Sequence, residues 1–199
     1  YWTDWLQYYK ILEKILNMNI SQFLLMRHEL VLIGIALVIL VAELFVPAVN
    51  KKKIIPLAAV LMGIALLVGF LPMPKGELFG GGFYTDPLIS FMKNILNMGV
   101  FIIFLQSYTW LQHEENQEKI SEYFLLVLST LIGMFYMISA KNFLMMYVGL
   151  ELASIPMAAL AAYERLNNKS AEAGIKLILT SALSSGILLF GISIIYGTT

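Results

Sequence analysis

The sequence has no cysteine, which excludes disulfides, thiolate metal sites and iron–sulfur ligation by this chain. Charge is scarce as well. Asp, Glu, Lys and Arg make up 13% of 199 residues, where a soluble domain carries about 25%. The net charge is zero, so there is no basic surface to displace phosphate counterions, and nucleic-acid binding drops out. Histidine occurs only at His28 and His113, both in polar flanks by sequence. The paired intramembrane histidines of a haem-carrying subunit are therefore missing, and any redox chemistry belongs to a partner. The start at Tyr1 has no basic region followed by a short apolar stretch and a small-residue cleavage site, so it does not read as a signal peptide. An apolar helix running up to Thr199 without a polar tail gives the expectation of a piece of a longer protein.

Apolar surface is what the sequence has in excess. At 59% hydrophobic residues, the chain carries more than a soluble core needs, and the bilayer must act as its solvent. A span needs about 20 residues, which leaves room for roughly six to eight crossings. The expected fold class is all-α, a polytopic membrane protein of about six transmembrane helices, because the apolar periodicity is helical throughout and β-barrel alternation is not seen.

Segment 1–28 opens with Trp and Tyr among Asp4, Lys10, Glu13 and Lys14, which suits an interfacial helix or a partner contact. A first span over 29–49 ends at Pro47 and the triplet Lys51, Lys52, Lys53. A second, 54–71, stops at Pro72 and Pro74. The stretch PMPKGELFGGGFYTDP reads as a loop, from its glycine and proline content. A third span follows at 88–108, completing spans 1–3 within 29–108. A polar loop over 109–122 leads to spans over 123–140, 143–163 and 171–196, in the final segment 123–199. Loops 1–2, 3–4 and 5–6 hold Lys51, Lys52, Lys53, Lys119, Arg165 and Lys169, whereas the other two hold Lys75 and Lys141. By the positive-inside rule the N-terminus lies outside, although Lys10, Lys14 and Arg27 weaken that bias.

Several charges fall where the bilayer penalises them. Glu151 lies nine residues after Asn142, about 14 Å along its helix and near mid-membrane. An acid there costs about 3 kcal/mol and usually faces a polar pathway or a partner. Tyr147 and Ser154 share its face at i−4 and i+3. The alternative is a neutral acid in a structural hydrogen bond. Lys176 opens a stripe with Thr180 and Ser184 at four-residue steps, which could carry water. Snorkelling of the lysine and back-bonding of the hydroxyls would explain the same residues. Lys93, with Asn97 one turn on, is open to the same snorkelling explanation. Glu43, eight residues before Lys51, reads either as a helix-packing acid or as a relay. Lys141 and Arg165 sit at helix ends, where interface anchoring is ordinary. An acid and a base on adjacent helices, with hydroxyls between them, would form a proton relay in which each group sets the other's proton affinity.

The run SAKNFLMMYVGLELASIPMAALAAYERLNNKSAEAGIKLILTSALSSGILLFGISIIYG resembles the antiporter-like membrane subunits of respiratory complex I. The resemblance is most specific at GLELASIP and EAGIKLILTSALSSGILLFG, and covers about residues 28–198. The segments HELVLIGIALVILVAELF and FYTDPLISFMK narrow it to one branch of those subunits. It implies that Glu151 and Lys176 belong to a chain of charged residues through which quinone reduction elsewhere drives proton translocation. It also implies partners among the other membrane-arm subunits and the lipid bilayer. NADH, flavin, iron–sulfur clusters and quinone are then expected in partner subunits, with no cofactor or metal held by this chain. The implied location is the bacterial inner membrane, with a periplasmic N-terminus. The family has about fourteen helices, with inverted five-helix repeats and a further lysine in helix 7, whereas this sequence supplies six. Two other readings remain: a subunit of a multisubunit cation/proton antiporter, and a purely structural membrane subunit.

Overall fold

The computed structural model describes residues 23–113, 119–164 and 167–198. The interfacial or partner-contacting reading of the first residues falls largely on 1–22, outside the described residues. Six helices are long and apolar enough to cross a membrane among those described. They are α1 (Arg27–Phe45), α2 (Ile54–Gly69), α3 (Pro87–Leu111), α4 (Ile120–Ser139), α5 (Phe143–Ala161) and α6 (Asn168–Thr198). The chain is an all-α polytopic membrane protein. The α1–α2, α4–α5 and α5–α6 connections are short, which makes those neighbours antiparallel.

The helix ends follow local chemistry. The Asp86 carboxylate accepts from the Ile89 N–H at 2.7 Å, with Pro87 in the first turn. Asn142 likewise accepts from the Met145 N–H at 2.8 Å. Both are N-caps. At the C-terminal end of α2, Arg27 donates to the carbonyl of Leu71 at 2.7 Å and to that of Pro72 at 3.4 Å, placing a cation where the helix dipole favours one. The first helix therefore begins at Arg27, inside the segment assigned by sequence to the N-terminal flank, and Leu24–Met26 already forms a 3-10 turn before it.

The stretch read by sequence as a loop contains a hairpin. Strands β1 (Gly76–Leu78) and β2 (Phe83–Thr85) pair antiparallel, with Leu78 opposite Phe83. Gly80 and Gly81 take φ of 65° and 92° in the turn, a conformation glycine adopts without strain. The Lys141 N–H donates to the Gly82 carbonyl at 2.9 Å, and Lys141 pairs with Glu77. These contacts seat the hairpin over the end of the bundle where α1 and α3 begin, and they bury Phe83 completely.

The core lies between α1 and α4. Leu32, Ile35 and Ile39 of α1 pack with Ile55, Ala58 and Met62 of α2, Val100 and Phe104 of α3, and Phe124, Leu128 and Phe135 of α4. The helices α5 and α6 lie outside this core, with α5 packed on α4 and α6 packed on α5. The α4–α5 contact is very close. A Cβ on Gly133 would lie 2.3 Å from the Ala153 nitrogen, and one on Gly149 would lie 2.6 Å from the Met137 nitrogen. Small residues allow this approach in a membrane, where packing rather than hydrophobic transfer holds helices together.

Candidate functional site

Helical geometry sets the direction in which Glu151 points. Consecutive residues turn by about 100°, so Glu151, two positions after Gly149, is directed away from α4 and toward α6. There it lines a cleft of about 340 Å³ with Tyr147, Ser154, Ser181 and Ser185. Glu151 is half-buried, and its Oε1 is buried with no hydrogen-bond partner. It sits one residue before the centre of α5, about 12 Å from the first residue of that helix. Pro156, inside the same helix, removes the N–H that would bond the Leu152 carbonyl. Tyr147 and Ser154 share the face expected of them, although the Ser154 hydroxyl donates to the Glu151 backbone carbonyl, at 3.4 Å, rather than to its carboxylate.

Lys176 lies elsewhere. Gly174 is the residue that α6 presses onto α5, where an added Cβ would fall 2.4 Å from the Ala162 Cβ. Lys176, two positions on, is therefore turned outward. It pairs with Glu172 at 2.5 Å, with the two side chains 73% and 62% exposed. Thr180 is also exposed, and its hydroxyl donates back to the Lys176 carbonyl at 2.6 Å. Ser184 is exposed as well. The expected stripe of Lys176, Thr180 and Ser184 thus does not face Glu151. The hydroxyls that do are Ser181 and Ser185, seven and eleven residues after Gly174 and so on its face of the helix. That spacing from the small contact residue was the available sequence signal.

A second polar cluster occupies the core. Lys93 and Glu29 form an ion pair at 2.5 Å with both side chains fully buried. Snorkelling is thereby overturned for Lys93. The Lys93 Nζ lies 4.9 Å from the centre of the Phe83 ring and 5.7 Å from that of Phe135, so the hairpin and α4 close it off from the nearby helix ends. His28, assigned by sequence to a polar flank, is instead buried at 4% exposure, with its ring edge-on to Phe135. Sequence reasoning missed Glu29 because it stands at the edge of an apolar run, where a charge reads as a boundary. The signal was directional: α1 and α3 begin at the same face, so opposite charges near their starts meet at one level.

Glu43 pairs with Lys51 at 3.5 Å, in a partly buried contact across the α1–α2 connection. Its partner is the basic exit of the first span. Among the described residues, no group of three or more His, Cys, Asp or Glu side chains is arranged to hold a metal ion.

Residues 140–199 match the transmembrane family described as NADH:quinone oxidoreductase/Mrp antiporter. Over 91% of its length the chain is 44% identical to NADH-quinone oxidoreductase subunit N of Phocaeicola vulgatus. It is 42% identical, over the same share, to subunit N of Azobacteroides pseudotrichonymphae. The chain is similar to the antiporter-like membrane subunits of NADH:quinone oxidoreductase. It spans 38% of the length of each of those two relatives. A chain in the structure of respiratory complex I from Thermus thermophilus with bound aureothin has a similar fold, at a TM-score of 0.67 and 22% identity, covering 86% of this chain and 37% of that one. Glu151 and Lys176 both lie within the matched residues 140–199.

Proposed function

We propose that this chain is part of a proton-translocating membrane-arm subunit of NADH:quinone oxidoreductase, in which Glu151 carries a proton that quinone reduction in partner subunits drives. One observation carries the reading: at mid-helix, the Glu151 carboxyl has a buried oxygen with no partner, in a cleft lined by Tyr147, Ser154, Ser181 and Ser185. A carboxyl held by structural hydrogen bonds would have that oxygen satisfied. In such a cleft the protonated acid releases a proton to water and the carboxylate takes one back, and the direction is set by charges brought near it or taken away.

Lys176 enters the same reading from the outer face of α6. Among the described residues its ammonium pairs with Glu172 on its own helix, and the length of the relatives leaves further helices of such a subunit to cover that face. In this reading Lys176 hands its proton on to a group of the helices that cover that face, with Glu172 as its resting partner. Glu151 and Lys176 belong to one path in this account without touching one another. NADH, flavin, iron–sulfur clusters and quinone reside in partner subunits, which are the other membrane-arm and peripheral-arm chains of the complex. The location is the bacterial inner membrane, with the N-terminus on the periplasmic side, as the lysine distribution of the loops favours.

The test is Glu151→Gln in the intact enzyme, with protons translocated per NADH oxidised as the readout. A fall in that ratio in assembled complex is expected, and a wild-type ratio rejects the role of Glu151. A cation/proton antiporter subunit is the second reading, favoured by the family description that names both assemblies. Co-purification with a flavin- and cluster-bearing arm supports the first, and purification without one supports the second.

A further inference from the structure

The Glu29–Lys93 pair has more polar groups around it than its own hydrogen bond uses. A buried ion pair is held well only when its remaining lone pairs and protons are also satisfied. Here the Glu29 Oε2 and the Oδ1 atoms of Asn94 and Asn97 are all buried without a hydrogen-bond partner, and the His28 ring buried beside them has, among the described residues, a single hydrogen-bonding neighbour in the Gly69 backbone to share between two nitrogens. They come from two neighbouring starts, with His28 and Glu29 on α1 and Lys93, Asn94 and Asn97 on α3. His28 lies close to the charges of Lys93 and Arg27 and to the backbone of Gly69. Asn94 lies against Gly69 as well, where an added Cβ would fall 1.8 Å from its Oδ1. Glu29, His28, Lys93 and Asn94 are thus gathered around one level near Gly69, and Asn97 lies one turn deeper along α3 than Lys93. Buried polar groups in native proteins nearly always find partners, and where protein supplies none, ordered water does.

We propose that Glu29 and Lys93, with His28, Asn94 and Asn97 around them, form a second, hydrated proton-holding site at the hairpin end of the bundle, separate from the Glu151 cleft. This inference rests on the proton-translocating reading above. Transfer of one proton from the Lys93 ammonium to the Glu29 carboxylate breaks an N–H bond and forms an O–H bond, turning an ion pair into a neutral amine and a neutral acid with no change in total charge. Water on the Oε2 side then accepts the proton of the acid, and another water reprotonates the amine. One proton has then crossed the pair, which returns to its starting state. Low dielectric makes both the charged and the neutral forms accessible to the pair, because burial penalises lone charges while attraction between the partners favours them. The rings of Phe83 and Phe135 over the Lys93 ammonium cover that side of the site, and the hairpin joins it to Lys141 and so to the start of α5.

Two measurements on the intact complex test the site. High-resolution electron cryomicroscopy of the wild type is expected to show ordered water within hydrogen-bonding distance of Glu29 Oε2 and of a His28 nitrogen or Asn97 Oδ1; a dry cluster overturns the proposal. The second measurement is a charge-removal cycle of Glu29→Gln, Lys93→Gln and the double variant. Each single change strands a buried charge and lowers assembly, and the double restores it. A structural pair predicts that the restored complex pumps normally. A proton-holding pair predicts a loss of protons translocated per NADH in that same assembled double variant, and a wild-type ratio there overturns the proposal. If the double does not assemble, the water density decides. A complex with Glu151→Gln that pumps normally, beside a double variant that does not, rejects the Glu151 reading and leaves this site standing; the reverse pattern rejects this site alone.

Discussion

Gly149 and Glu151 stand two residues apart on α5 and face opposite neighbours: Gly149 closes on the backbone of Met137 in α4, while Glu151 opens on the cleft shared with α6. The glycine fixes the rotation of the helix, and the rotation fixes where the acid points. The direction of the Glu151 side chain therefore depends on a packing residue that lies against α4 and outside the cleft.

Replacing Gly149 by Ala forces its new methyl against the Met137 backbone at 2.6 Å, where no flexible side chain can give way. Overpacking of this kind costs about 1–3 kcal/mol. A lower thermal unfolding temperature of the purified complex is expected, together with reduced pumping as the cleft shifts. Gly99→Ala, with nothing within 4 Å of its added Cβ, is the matched control and is expected to be neutral or slightly stabilising.

The two Glu–Lys pairs on either side of the hairpin differ in burial and so in cost. Removing one partner of the fully buried Glu29–Lys93 pair is expected to cost about 3–5 kcal/mol, since it leaves an uncompensated buried charge. Glu77→Gln, in a pair about half exposed, is expected to cost under about 1 kcal/mol. Yield of assembled complex and its thermal stability measure the contrast.

Serine positions on α6 report the rotation of that helix. Ser181→Ala and Ser185→Ala alter the lining of the Glu151 cleft and are expected to slow redox-coupled proton translocation. Ser184→Ala, on the exposed face, is expected to leave it unchanged in this part of the path. Equal effects at Ser181 and Ser184 would show that α6 is rotated from the orientation described.

Lys176→Met removes an exposed pair with Glu172, a contact of the i, i+4 kind that contributes a few tenths of a kcal/mol. Assembly should survive the change. Loss of translocation without loss of stability is the expected signature, and unaltered pumping would count against any role for Lys176.

The six spans were legible because a long apolar run can satisfy its backbone in lipid only as a helix. The depth of Glu151 followed from counting residues, and its motif pointed to the same position. The partners of that acid were not legible in the same way. Lys176, Thr180 and Ser184 follow one another at regular steps, but which face of α6 meets α5 is decided by Gly174 and Ala162, whose contact is a matter of three dimensions. Glu29 was hidden for a different reason. A charge at the rim of an apolar run looks like the end of a span until a second span, starting at the same face, brings Lys93 against it. The hairpin was obscured by its own glycines and prolines, since two strands of three residues give too short a pattern for alternation to show.

The central claim is that the unpartnered carboxyl of Glu151 carries a proton. Its most direct test is the number of protons translocated per NADH oxidised by the intact complex carrying Glu151→Gln, a change that keeps the size of the side chain and much of its hydrogen bonding. The account predicts an assembled enzyme in which that number falls below the wild-type value. An assembled enzyme that pumps at the wild-type ratio would contradict it.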